Sequence, residues 1–454
     1  MPTPPKKRSN LLIKAPIVLI LLFLAGLGLK HLLMDEPFTR TEVKVKPAVK
    51  PKKKIKLFDD SIVHRIDLKF DQANYWDQLL DHRKQADSLE ITNYLPVDLT
   101  IDNTVVGEIG IRFKGESSFE FSGEKKKSFK LSFNKFDKKK RFQKITKLHL
   151  NNCFKDPTFM RDKLYLDMQD ELGIPTQKSA FAKVYINNIY WGVYLMIEQI
   201  DKHFIKRNFN ESKGTLFKGE PNALFTNLGK NKSNYSRKYQ LKSKNPKEGW
   251  KSLIEFIQSL HVRDLSPETF YIQMDSKFEV DDCLRSWALN NALVNVDAYN
   301  MHYPHNFYIY QNTKDNKFNW INYDGNYSFG AWSPTLTYKQ MVELPIEYEL
   351  DSTVERPLYH ILMDNAVCQA KYQNILKKEV LPLLQESSFN ARVDEIKTLI
   401  APAVYADSLK MYSNELFDQC IEQANGDKND PGAFSPGIKQ FTKERAEFLE
   451  MLTL

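Results

Sequence analysis

In several short stretches between residues 63 and 133 apolar and polar positions alternate with a period of two, as they do in half-buried strands. Val63–Phe70 (VHRIDLKF) reads as an edge strand. Leu95–Ile101 and Val105–Phe113 read as a pair turned at Asp102-Asn103, and Ser128–Phe133 (SFKLSF) alternates again. Lys147–Asn151 is a further short strand. The period then changes: Leu164, Leu166, Met168 and Leu172 give Arg161–Leu172 helical spacing, stopped by Gly173 before Pro175. Ala182–Ile186 and Val193–Ile197 flank Asn187-Asn188 and predict a hairpin. From Trp250 onward helices dominate, with Trp250–Leu260 and Val280–Val294 as amphipathic candidates. Asn306–Gln311 and Lys317–Tyr323 form a late strand pair, and residues 355–454 read as a helical bundle. A strand-rich first part and a helix-rich second part predict an α+β, two-lobed body with a ligand cleft between its lobes.

The first 56 residues follow other rules. Lys6, Lys7 and Arg8 precede an apolar stretch, Leu11–Leu33, with Lys14 and Lys30 near its ends. That length just crosses a bilayer, and both lysines can reach the headgroups. No A-x-A-like cleavage site follows, so residues 1–34 are expected to be a retained anchor. A short basic tail favours the cytoplasm, which would put the main domain on the extracytoplasmic side. Residues 35–56, with Pro37, Pro47, Pro51 and many lysines, read as an extended linker. The main domain is expected over 57–454.

Composition narrows the partners. A formal net charge of +8 suits an anionic membrane surface, a polyanion or a phosphorylated ligand, and equally a soluble body on a basic tether. A nucleic acid is not expected. The four cysteines, Cys153, Cys283, Cys368 and Cys420, form no CxxC pair, against a zinc ribbon or thioredoxin-type motif. Isolated buried thiols are the expectation. GxxxxGK[ST], a strand-linked GxGxxG, GxSxG and HExxH are all missing, which removes P-loop, dinucleotide, hydrolase-elbow and zincin chemistry. His302 and His305 alone do not define a metal site.

Three constellations carry candidate chemistry. In the first, Arg112 and Lys114 share one strand face, followed by Lys125, Lys126, Lys127 and, on a second strand, Lys130. Two such strands could hold phosphate oxygens, or form an exposed basic hairpin. In the second, Glu198 and Asp201 end an apolar strand in YWGVYLMIEQIDKHF. Glu198 could orient a basic residue, or these acids could favour a helix N-terminus. In the third, Asn295, Asp297 and Asn306 precede Asp324, Asn326 and Gly330 in NYDGNYSFG. Phosphoryl transfer needs a carboxylate near the acceptor hydroxyl and further oxygens around a divalent ion. Asp297 fits the first role, with Asp324, Asn326 and Asn306 as candidate metal ligands.

Together these blocks resemble the CotH family of spore-coat proteins. IRFKGESS is similar to its Arg-x-Arg-Gly-Asn-Ser-Ser signature, and KKSFKLSF to the Lys-rich strand that follows. YWGVYLMIEQID, NVDAYNMHYPHNFYIY and NYDGNYSFG resemble its later elements, in the same order, over roughly Ile66–Ser408. The resemblance implies an atypical kinase fold related to secretory-pathway kinases, using ATP with Mg2+ or Mn2+ to phosphorylate protein Ser or Thr. Spore-coat members phosphorylate coat proteins, and fungal members act as surface invasins. It also implies Lys130 on phosphate, Glu198 in the nucleotide cleft, Asp297 as catalytic acid–base group and Asp324 on the metal. Lys114 and Glu116 depart from the first signature. Asn326 replaces the second acid of an Asp-x-Asp, keeping a carbonyl oxygen but losing a charge. A non-catalytic scaffold or surface-binding protein is therefore the alternative.

Overall fold

Two short polar pairs turn the chain in its first half. Asp102, Asn103, Asn187 and Asn188 have φ of 47°, 64°, 49° and 65°. Asn and Asp tolerate this left-handed region, which a two-residue hairpin loop requires at both central positions. The computed structural model describes residues 56–244, 246–260, 265–347 and 355–453. The expected anchor and nearly all of the expected linker lie outside them. Among the described residues no helix is long and apolar enough to cross a membrane.

The first turn joins β2 (Leu95–Ile101) to β3 (Thr104–Lys114), and the second joins β6 (Ser179–Ile186) to β7 (Ile189–Glu198). With β1 (His64–Lys69), β4 (Ser128–Ser132) and β5 (Lys147–Asn151) they close into a barrel in the order β1-β2-β3-β4-β5-β7-β6. Closure comes from β1, antiparallel to β2 and parallel to β6. The edge position expected for Val63–Phe70 is thereby corrected. A barrel strand buries one face just as an edge strand does, so alternation cannot tell them apart. Ile66, Leu68, Ile111, Phe113, Phe129, Leu131, Leu148, Leu150 and Met196 belong to the barrel's core. Helix α1 (Tyr75–Leu89), unforeseen in the sequence, packs Trp76 on Phe113 and Trp191, with ring centroids 5.0 and 5.6 Å apart.

The second core lies outside the barrel. Val193, Leu195 and Ile197 of β7 join it while Tyr194 and Met196 join the first. Burial on both faces explains the unbroken apolar run GVYLMI. The late strand pair is β10 (Phe307–Gln311) with β11 (Phe318–Asn322), and β8 (Thr215–Gly219) and β9 (Tyr239–Leu241) extend it into a sheet ordered β11-β10-β8-β9. Helices α2 (Ser117–Glu120), α3 (Arg161–Glu171), α4 (Lys202–Phe209), α5 (Pro246–Ser259) and α6 (Pro267–Asp275) lead to α7 (Val280–Ala292). An amphipathic α7 was expected, but it is buried on nearly all sides, between β11 and the later helix Ala366–Ile375. Helices α8 (Tyr338–Val342), α9 (Pro357–Met363), α10 (Ala366–Ile375), α11 (Glu386–Tyr405), α12 (Asn414–Glu422) and α13 (Ile438–Thr453) complete the helical part. The architecture is thus α+β, and all four cysteines are free and buried.

Candidate active site

The period-two geometry that sends Ile111 and Phe113 into the barrel sends Arg112 and Lys114 out of it. The same parity turns Lys130 outward on β4, and His149 and Asn151 outward on β5. Register sets Arg112 opposite Lys130 and Lys130 opposite His149. One stripe of the barrel's outer face is therefore basic, and the second sheet's Lys218 adds to it.

Lys114 anchors a relay across four elements. Its Nζ donates to Asn151 Oδ1 at 2.5 Å, and Asn151 Nδ2 donates to Asp162 Oδ2 at 3.1 Å. Asp162 stands in the first turn of α3 and also accepts the Gly325 N–H. Asp324, immediately before, has φ 60°. No side chain is tolerated at Gly325, because a Cβ there would fall 1.9 Å from the Tyr165 ring. Tyr165 itself is pinned by donating to Asn290 of α7 at 2.7 Å.

The carboxyls of Asp162 and Asp324 are both held above the usual range. Burial is the first cause for each; the Asp324 charge then raises Asp162. On Asp324, Lys114 pulls down while Asp297 pushes up. Two acids in mutual repulsion beside one ammonium would be relieved by a multivalent cation. Among the described residues no three His, Cys, Asp or Glu gather into a metal cage. An ion here would need phosphate or water oxygens as well, which is the usual way magnesium is held.

Asp297 follows α7 through a strained turn, in which buried Val294 has φ 49°, a conformation costly for a β-branched residue. Its Oδ1 lies 2.6 Å from His305 Nε2, and its Oδ2 accepts from Asn306 Nδ2 at 2.8 Å. The same Asn306 nitrogen donates to the Asp297 carbonyl at 3.0 Å. Asn306 thus holds Asp297 in place. Fully buried Arg356 fixes the loop from behind, donating to the carbonyls of Tyr299, Met301 and His302. Fully buried Arg161 does the same for the Asp324 loop through the carbonyls of Ser328 and Phe329.

Lys130 donates to Gln199 Oε1 at 2.5 Å, an oxygen shared with His149 Nε2 at 2.9 Å. Its ammonium is driven well below the ordinary lysine range, first by burial and then by Arg112, Lys147, Lys114 and Lys242. Arg112 donates to the Phe113 carbonyl, yet its buried Nε has no partner. These cations repel one another and leave a donor unmet, as expected of a site shaped for an anion.

Lys114, Lys130, Arg112, Asp297, Asn306 and Asp324 are thus brought to one region. Asn326, half-buried in the same loop, makes no hydrogen bond to a described residue. Two of the sequence candidates stand apart. Glu198 has the parity of Met196, on the opposite face of β7 from the Lys130 row, and its carboxylate takes Arg207 at 2.5 Å and the Lys178 N–H at 3.2 Å. The next residue, Gln199, meets Lys130 instead. Lys127 donates to the carbonyls of Phe119 and Ser122 and so closes its own loop. Asn151, Asp162 and Gln199 escaped the sequence reading, and His305 was weighed there only as a metal ligand. Gln199 and His305 lie inside quoted motifs without standing out in them, and only the parity of β5 hinted at Asn151.

Residues 111–449 match the family model described as CotH kinase protein. The inner spore coat protein H of Bacillus subtilis is 23% identical over 318 residues, 69% of this chain and 82% of that protein. Invasin CotH2 of Rhizopus delemar is 21% identical over 363 residues, 77% of this chain and 58% of the invasin. The Helicobacter pylori proinflammatory kinase CtkA superposes with a TM-score of 0.30 and 8% identity over 71% of this chain and 94% of that one, a likeness too loose to bear on fold or chemistry. With the family model matched across three quarters of its length and its motifs gathered at one site, the chain belongs to the CotH kinase protein family.

Proposed function

We propose that the chain is a CotH-type protein kinase, tethered through residues 11–33, that moves the γ-phosphoryl group of ATP to a Ser or Thr hydroxyl of an envelope or surface protein. One observation carries this reading: Lys114 and Asp297, far apart in sequence, both act on the charge of Asp324. Asp297 would accept the acceptor hydroxyl's proton or orient that hydroxyl, with His305 and Asn306 fixing its two oxygens. Asp324 and Asp162, with the Asn326 carbonyl, would hold Mg2+ or Mn2+. Lys114, Lys130, Arg112 and Lys218 would bind phosphate oxygens. The unmet Arg112 Nε and the mutually repelling cations fit that role. The bound metal–nucleotide supplies the phosphoryl group and an ion that disperses charge developing on it.

Full-length protein incubated with labelled ATP and either cation tests this. Asp297→Ala should lower phosphate incorporation roughly a thousandfold, the scale of a lost acid–base group. Equal incorporation by wild type and variant would sink the proposal.

Asn326, standing where the family has an acid, favours a second reading, a scaffold or surface-binding protein that keeps the fold without transfer. A thermal shift with ATP and Mg2+ but no incorporation would select a nucleotide-binding scaffold. No shift, together with salt-sensitive polyanion binding, would select the surface-binding form.

A further inference from the structure

The chain turns sharply between β5 and α3, where Cys153, Lys155 and Phe159 have φ of 55°, 57° and 62°. Asp156 fixes this turn. Its Oδ1 accepts from the Thr158 N–H at 2.9 Å and Oγ1 at 2.6 Å, and its Oδ2 accepts from the Arg161 N–H at 2.9 Å. Because Arg161 also grips the Ser328 and Phe329 carbonyls, the turn and the Asp324 loop are set against each other.

The Lys155 ammonium lies 4.3 Å from the Trp332 ring centroid and 5.9 Å from those of Tyr327 and Phe154. Trp332 stacks on Tyr303 at 6.1 Å and leans on Tyr327 at 5.3 Å. Tyr303 meets His305 edge-on at 6.2 Å, and His305 binds Asp297. An unbroken line of contacts therefore runs from Lys155 to the proposed acid–base group. No carboxylate among the described residues pairs with Lys155, and burial alone lowers its proton affinity. Aromatic faces steady an ammonium without neutralising it. Its charge is left for something outside the chain.

We propose that Lys155, walled by Phe154, Tyr327 and Trp332, is an acceptor subsite that takes an anionic side chain close in sequence to the hydroxyl presented to Asp297. The inference rests on the kinase reading for the identity of that acceptor. A carboxylate of Asp or Glu supplies the matching chemistry, as does the phosphate of a residue already modified. The rings would pack the neighbouring apolar atoms and thin the water around the pair. A basic residue at the same position would meet like charge and be rejected.

The test uses full-length protein and Ser peptides carrying one Glu, phosphoserine, Ala or Lys at each of three positions on either side of the acceptor. Fluorescence anisotropy reads binding, and labelled ATP reads transfer. At one or two positions Glu should improve both about tenfold over Ala, the value of one partly desolvated charge pair, and Lys should weaken them. Lys155→Glu should reverse the order while leaving the KM for ATP unchanged. If that variant is poorly folded, Lys155→Met keeps the stem against Trp332 and should abolish the preference alone. A larger gain from phosphoserine than from Glu identifies prior phosphorylation as the source of the anion; the converse identifies Asp or Glu. No acidic preference, or one that survives both substitutions, overturns the subsite. If no peptide is phosphorylated the kinase reading falls, and anisotropy still decides this one.

Discussion

At Asp162 and Asp324, burial and mutual repulsion keep protons on the folded protein at pH values where the unfolded chain has released them. A free carboxyl of this kind titrates near 3.8. Above that value, and up to the raised folded one, the native state binds more protons than the unfolded state. Stability from this pair therefore falls as pH rises through that window. A divalent cation competes with those protons. Mg2+ or Mn2+ should raise the melting temperature more at about pH 8 than at about pH 5.5, and Asp162→Asn should flatten the difference. Scanning fluorimetry checks this, and an equal shift at both pH values would argue against an ion between these acids. The two acids were unequally legible. Asp324 stands in a loop of turn-forming residues that reads as a site, whereas Asp162 sits inside an ordinary helical pattern. Its meaning comes from Asn151 and Gly325, which only the fold brings to it.

Among the elements, strands were the easiest to read, because period-two alternation and Asn-rich turns act locally. The late strand pair was visible, but its continuation into β8 and β9 was not, since three-residue β9 is too short to show a period. The loops that carry the acids depend on something sequence patterns conceal: arginines with no exposure to solvent. Arg356 satisfies three carbonyls of the Asp297 loop. Arg356→Ala would strand those acceptors in the interior, each a group that is costly to bury unpaired. Unfolding in urea should show a loss of about 3–5 kcal/mol. Arg356→Lys should recover little, since one ammonium cannot reproduce the planar fork. A loss below about 1 kcal/mol would show that water replaces the guanidinium.

Across the whole molecule, one fully buried ion pair ties the strand-leading loop of the barrel to the C-terminal helices. Lys126 Nζ meets Asp407 Oδ2 at 2.5 Å with no exposure of either side chain, and the same oxygen accepts the Val193 N–H at 2.9 Å. Gly192 is required beside it, since a Cβ would fall 2.1 Å from Asp407. Burial pushes the Lys126 ammonium below its ordinary range, so the ion depends on its partner. Asp407→Asn should cost about 3–5 kcal/mol by leaving that charge unpaired, and Lys126→Met with Asp407→Leu should cost less than the single change. Chemical denaturation of the set measures both, and a double variant weaker than Asp407→Asn would overturn the argument. Nothing in the KKKS run marks Lys126 as different from its neighbours.

Barrel closure has a consequence for how the protein is made. His64 pairs with Ala182, so the ring cannot shut until β6 has left the ribosome. At about 5–20 residues per second, the β1–β3 meander spends on the order of ten seconds with one flank unpartnered. Such a flank is a template for stray pairing with another nascent chain. The family match, which opens at Ile111 inside β3, omits β1 and β2 altogether. Biosynthesis of the family-matched part is thus hostage to a preceding segment that lies outside the match.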